Sequence, residues 1–195
     1  MIAKELAQGR RRCNAAGGPS IEISGKVEMD PKSILADQAQ EFRRLKELAE
    51  KAMNQVSDQD FFRTLDDEAN SIAFLTKHIA GNLKSRWTDV LTTDGEKPDR
   101  RRDSEFWQEP EDSRKTLLAR WEVGWSCLFT ALESLTPEDL GKTIHIRNRP
   151  FRVAEAVLQA QSHIAYHIGQ LVFLAKHFAS SNWQTLSRPR RKPEQ

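Results

Sequence analysis

Four long segments of this chain repeat apolar residues at helical spacing, and that period limits what it can fold into more than any other property. From residue 31 to about 56, Ile34, Gln38, Phe42, Leu45, Leu48, Met53 and Val56 form one stripe with a charged face opposite. A second segment, about 69 to 92, carries Ile72, Leu75, Ile79, Leu83 and Val90, with His78, Asn82 and Arg86 as an adjoining polar row. A third, about 113 to 135, turns Leu117, Trp121, Gly124, Leu128, Leu132 and Leu135 inward. The fourth, from near 150 to about 179, has the ridge Val153, Val157, Ala160, Ile164, Leu171, Leu174 and Phe178. Each reads as a helix apolar on one side. Four such helices bury their stripes most simply against one another, so the expectation is an all-α fold, a four-helix bundle.

The segments between the helices are less regular. Thr143-Ile-His-Ile-Arg147 alternates and then turns at Asn148-Arg149-Pro150, which predicts a short strand pair or an irregular corner before the last helix. The connection from Thr92 to Phe106 is too charged to be core and too long for a minimal turn. Residues 1–28 contain Gly9, Gly17, Gly18, Pro19 and Gly25 with little periodicity and read as a flexible extension. Met29 then precedes Asp30-Pro31, a good N-cap and first-turn pair, so Met29 is a candidate start of translation. Peptides from residues 1–28 in a digest of the native protein would refute that start. The bundle is expected over 29–180, followed by a basic tail, 181–195.

Composition narrows the class. A chain of 195 residues with 38% apolar and 30% charged side chains suits one domain with a well-buried core. No apolar run approaches the roughly 18 residues of a spanning helix. Arg10, Arg11 and Arg12 are not followed by the hydrophobic region of a secretory signal, so we expect a cytoplasmic protein with no membrane partner. Two cysteines, Cys13 and Cys127, give no disulfide framework. Residues 1–28 hold five basic and three acidic side chains, and residues 184–195 hold four and one. The remainder has twenty-one basic against twenty-four acidic, so the basicity belongs to the ends and argues against the folded body as a nucleic-acid platform. Arg100, Arg101 and Arg102 lie among Asp94, Glu96, Asp99, Asp103 and Glu105, which neutralise them locally.

Within the last helix stands His163-Ile-Ala-Tyr-His167. Two imidazoles four residues apart share a helix face and can both turn toward one metal ion. They lie beside Ala160, Ile164, Leu171 and Leu174, so the pair points partly inward, where two buried imidazoles need compensation. His78, one turn beyond Leu75 on the second helix, sits at a comparable inward position and makes a third candidate ligand. Ile164 stands where a zinc protease would place its general-base glutamate, so that chemistry is excluded. Three neutral imidazoles leave an open coordination position and suit zinc, nickel, iron or copper without choosing among them. Asn82, Arg86, Gln159 and Gln170 surround the histidines as candidate substrate-pocket residues. His145 and His177 lack partners at ligand spacing. Trp121 and Trp125, one turn apart among leucines, read as packing rather than a stacking platform.

The pair His78-Ile-Ala-Gly-Asn-Leu and His163-Ile-Ala-Tyr-His167-Ile-Gly-Gln-Leu resembles the DinB-like (YfiT-like) superfamily of metal-binding proteins. The segments Ser85-Arg-Trp-Thr-Asp, Asp94-Gly-Glu-Lys-Pro and Arg102-Asp-Ser-Glu-Phe106 place the similarity in an uncharacterised branch. The resemblance implies an up-down-down-up four-helix bundle, a homodimer, and a divalent-metal site with His78, His163 and His167 as ligands. It also implies a small-molecule substrate and either a transferase using a low-molecular-weight thiol or a metal-dependent hydrolase. A non-catalytic binding protein stabilised by its metal is the competing reading, because no Asp or Glu occupies a motif-defined position for a general base. The catalytic residues are therefore unknown at this level.

Overall fold

The computed structural model describes residues 31–189. The extension 1–28 with Cys13, the candidate start Met29, the cap residue Asp30 and the final residues 190–195 lie outside the described residues. The described chain is mostly helical, with five α-helices and one small sheet. They are α1 (Pro31–Met53), α2 (Asp58–Phe62), α3 (Ile72–Trp87), α4 (Arg114–Ser134) and α5 (Val153–Ala179), with strands β1 (Thr143–Ile146) and β2 (Arg149–Arg152) before α5.

Local chemistry sets the helix starts. Ser71 accepts from the Phe74 amide at 3.1 Å to open α3, and Ser113 and Thr116 form a reciprocal capping box at the start of α4. Ser57 accepts from the Asp60 amide at 3.1 Å to open α2, a short helix not anticipated from periodicity. The second helix is shorter than its apolar pattern suggested because Asp89 takes φ 50°, a left-handed conformation that breaks the helix, although Val90 beyond it is still buried.

One hydrophobic core gathers residues from all four long helices. Trp121 and Trp125 are fully buried in it, and Phe42 meets the Trp125 ring edge-on at 6.5 Å. Burial of such side chains contributes roughly 1.5–3 kcal/mol each. At the start of α1, Leu35 is buried and Ile34 only half-buried. Ile168 and Ala175 join the predicted ridge of α5. Beyond α5, Trp183 and Leu186 pack against the core, and Gln55 bonds to the Gln184 backbone.

Helix α3 is buried over most of its surface, because α4, α5 and the 3-10 turn Arg102–Phe106 all pack on it. The charged connection expected to lie outside the core thus partly enters it: Ser104 and Glu105 are buried, and the Arg100 side chain is 5% exposed. Lys77 is buried too, and its ammonium faces Asp112 at 2.6 Å and Glu109 at 3.0 Å. A buried charge needs such partners.

The corner before α5 is an antiparallel hairpin, with Ile144 opposite Phe151 and Ile146 opposite Arg149. Its turn falls on Arg147 and Asn148, at φ 55° and 60°, one position earlier than the Asn-Arg-Pro pattern suggested. Two successive left-handed residues give the twist a two-residue hairpin needs. Asp94 holds the turn, accepting from the amides of Arg147 at 2.9 Å and Asn148 at 2.8 Å. The Gly95 amide donates to His145, while the Ser85 hydroxyl donates to the Gly95 carbonyl at 3.0 Å and accepts from the Lys97 amide. The Ser85 and Asp94-Gly-Glu-Lys motifs therefore buckle the end of α3 to the hairpin.

Candidate metal centre

His78 on α3 and His163 and His167 on α5 come together between the two helices. Their ligand nitrogens lie within 4.8 Å of one another, so the group could hold a metal ion. The Nε2 of His163 is 3.2 Å from that of His78 and 3.1 Å from that of His167. Two nitrogens bound tetrahedrally at the usual zinc–imidazole length would stand about 3.3 Å apart. His78 is buried, while His163 and His167 are half-buried, which leaves the group open on one side.

The outer partners of these rings decide which nitrogen carries the proton. His78 Nδ1 donates to Glu105 Oε2 at 2.8 Å, and His167 Nδ1 donates to Gln170 Oε1 at 3.0 Å. With the proton on Nδ1, the Nε2 of each ring presents a lone pair to the centre. His163 Nε2 faces both and can donate to only one of them. At least one lone pair is then left without a donor, a deficit that a cation removes. Burial, followed by the neighbouring His167, His78, Arg86 and Arg100, pushes His163 down to about 3. Burial likewise lowers His167, against the hydrogen bond to Gln170 that raises it. Both rings are thus neutral near pH 7, the state in which imidazole ligates a metal.

Glu105 is the member of the cluster that the sequence reading missed. It bridges His78 to Arg100, whose Nε and terminal nitrogen reach its two oxygens at 2.8 Å each. Burial raises the Glu105 carboxyl, but the bonds from His78 and Arg100 outweigh it and hold the carboxyl below its ordinary value. A carboxylate behind a ligating histidine fixes its tautomer and strengthens it as a donor. Gly81, one turn past His78, makes room for this carboxylate: a Cβ there would overlap Glu105 Oε1. The Phe106 ring covers His78 with centroids 5.0 Å apart. Glu105 was visible only as one of several acids around three arginines, and nothing in its local spacing ties it to a histidine 27 residues away.

The surrounding candidates lie on either side of the histidines along α3 and α5. Arg86 donates to Gln159 Oε1 at 3.1 Å, joining α3 to α5 one turn beyond His163. Asn82 is buried between His78 and Arg86, and its Oδ1 has no hydrogen-bond partner among the described residues. At the other end Gln170 lines a cleft of about 450 Å³ together with Asn70, Leu75, Phe173 and Leu174. His145 and His177 are exposed and take no part in the cluster.

Glu105→Gln is expected to weaken metal binding by about 10–100-fold, the usual effect of removing the partner behind a ligating histidine. Competition against a chromophoric chelator reads this directly, and unchanged affinity would remove Glu105 from the centre.

No curated protein and no solved structure matches the chain. No helix among the described residues is long and apolar enough to cross a membrane. The family model of DUF1572, described as a protein of unknown function, matches residues 31–192, and the chain belongs to that family.

Proposed function

We propose that this chain is a metal-dependent enzyme of DinB-like architecture, holding one divalent transition metal through His78, His163 and His167. The observation that carries the proposal is that His163 Nε2 stands 3.1–3.2 Å from the Nε2 atoms of both His78 and His167, with too few protons to satisfy all three. Three imidazoles suit zinc, nickel or iron. A bound ion would supply an open position at which a thiol or water is activated by loss of its proton, or a carbonyl is polarised. Glu105 and Gln170 set the tautomers, and Asn82, Arg86, Gln159 and Gln170 line the way in for a small molecule.

The up-down-down-up bundle is supported by the order of contacts. Arg43 meets Glu133 and Lys46 meets Glu122, so α1 and α4 run oppositely. Gly124 lies against Ala80 and Cys127 near Thr88, so α3 and α4 run the same way. His78 meets His163 and Arg86 meets Gln159, so α3 and α5 run oppositely.

Transfer to a low-molecular-weight thiol is preferred over hydrolysis, first on the resemblance. Glu105, already bound to His78 and Arg100, is not a free general base, which suits a thiol that gives up its own proton more readily than water. The decisive experiment is metal analysis of untagged protein, with His78→Ala beside it. Turnover with thiols and electrophiles that His163→Ala leaves unchanged would overturn the enzymatic reading, and a metal that only raises the melting temperature would favour the non-catalytic one.

A homodimer through α5 is part of the same reading. Leu158, Tyr166 and Phe173 stand exposed along that helix. A two-fold axis between Ala165 and Tyr166 would set Leu158 of each chain against Phe173 of the other, a self-complementary pairing. Light scattering is expected to show a dimer that Tyr166→Glu converts to monomer. A monomeric wild type at micromolar concentration would sink this assembly.

A further inference from the structure

Arg86 is a cation without a counter-charge. Its guanidinium is half-buried, its Nε is sealed from solvent with no acceptor, and the one bond it makes is to the neutral Gln159 amide. Among the described residues no carboxylate lies within ion-pair distance. Its charged neighbours are Arg100, Glu96 and Arg147, and Glu96 already faces both of those arginines, at 3.5 Å and 3.2 Å. Glu105 is held by Arg100 and His78. Burying a guanidinium among two others, with their carboxylates already occupied, is unfavourable unless something else supplies the negative charge.

Asn82 shows a second deficit in the same row. It is 4% exposed, one turn from His78 and one turn from Arg86, and its Oδ1 accepts nothing. A buried acceptor left unpaired is unfavourable. Two unsatisfied polar groups in succession, leading away from the histidine cluster along one helix face, are what a ligand-binding row looks like before its ligand arrives.

We infer that Arg86 is the recognition residue of the site and that the molecule drawn to the histidine centre carries a carboxylate. The inference rests on the metal reading above and names the substrate class. The ligand carboxylate takes the place of Gln159 Oε1 on the guanidinium, turning a bond to a neutral acceptor into a charge-assisted one. The atom that meets the metal lies about 6 Å away, because Gln159 is one helical turn from His163. An N–H or O–H on the chain between them would give Asn82 Oδ1 its missing donor. The cleft at the Gln170 end, lined by Leu75, Phe173 and Leu174, carries no such cation.

Cobalt-loaded full-length protein tests this without any turnover assay, since a thiolate entering the coordination sphere produces an intense charge-transfer band. The probes are mercaptopropionate and propanethiol, which share a thiol and differ by the carboxylate. Wild type is expected to bind mercaptopropionate at least tenfold more tightly, and Arg86→Gln to lose that preference while keeping its cobalt spectrum. Arg86→Lys, which keeps the charge but not the fork, should retain part of it. Equal affinity of wild type for the two probes overturns the inference whether or not the variants fold, and so does a preference that survives in Arg86→Gln. Either result leaves the metal reading standing. Failure of wild type to take up cobalt at all is a different outcome, which overturns the metal reading and this inference with it.

Discussion

Replacing His78 or His163 with alanine is expected to strip the purified protein of its metal, from about one ion per chain to less than a tenth of that. The two residues sit on different helices, so each substitution removes a separate wall of the site. Loss of a ligand should exceed the 10–100-fold effect of losing an outer partner, because two imidazoles, on one helix after loss of His78 and on two after loss of His163, offer only an incomplete grip. His145→Ala and His177→Ala are the matched controls: both rings are exposed and outside the cluster, and both variants should keep the metal. The protein must carry no polyhistidine tag, and inductively coupled plasma analysis gives the stoichiometry. Stability provides a second readout. A ligand at 1,000 times its Kd contributes about 4 kcal/mol, which for a domain of this size raises Tm by roughly 10 °C. A chelator should remove that increment from wild type and from the His145 variant, and change nothing in the His78 variant. Metal-free wild type, with the same melting temperature in chelator, would defeat the proposed function altogether.

Why the histidines were legible and Glu105 was not follows from the range over which each is encoded. His163 and His167 are related by the pitch of one helix, and His78 stands in register with Leu75 and Ile79, so local periodicity turns all three inward. The core ridges of α4 and α5 were readable for the same reason. Where the period ends, the reading fails: Val90 follows the apolar pattern yet lies beyond a left-handed Asp89. The hairpin turn shifted by one residue because its geometry is fixed by Asp94, more than fifty positions upstream. The connection between α3 and α4 looked like solvated loop because it is rich in charge. Its charges are instead spent on one another and on α3, with Arg100 and Glu105 forming a buried pair behind His78. Composition shows that such ions are present but not which of them pair, and pairing decides whether a loop is surface or support.

Gly124→Ala is expected to destabilise the protein by about 1–2 kcal/mol. A Cβ at this position would lie 2.6 Å from the Ala80 carbonyl oxygen and 2.9 Å from its Cα, so the obstacle is the backbone of α3, which cannot rotate aside. Overpacking of this kind costs roughly 1–3 kcal/mol or more, and the better helix propensity of alanine, worth about 1 kcal/mol, offsets only part of it. Gly169→Ala in α5 is the opposite case, since a Cβ there meets nothing within 4 Å. That variant should gain about 1 kcal/mol from propensity alone. Paired denaturant titrations therefore separate a glycine kept for close approach from one that is merely tolerated. The consequence reaches the metal centre, because Ala80 lies two residues from His78 and next to Gly81, where the space for Glu105 is already minimal. If α3 moves away from α4 to admit the methyl group, His78 and Glu105 move with it, and metal affinity should fall together with stability. Unchanged melting in Gly124→Ala would contradict the close crossing of α3 and α4. Lost stability with undiminished metal affinity would show that the strain is absorbed on the α4 side, leaving the histidine wall in place.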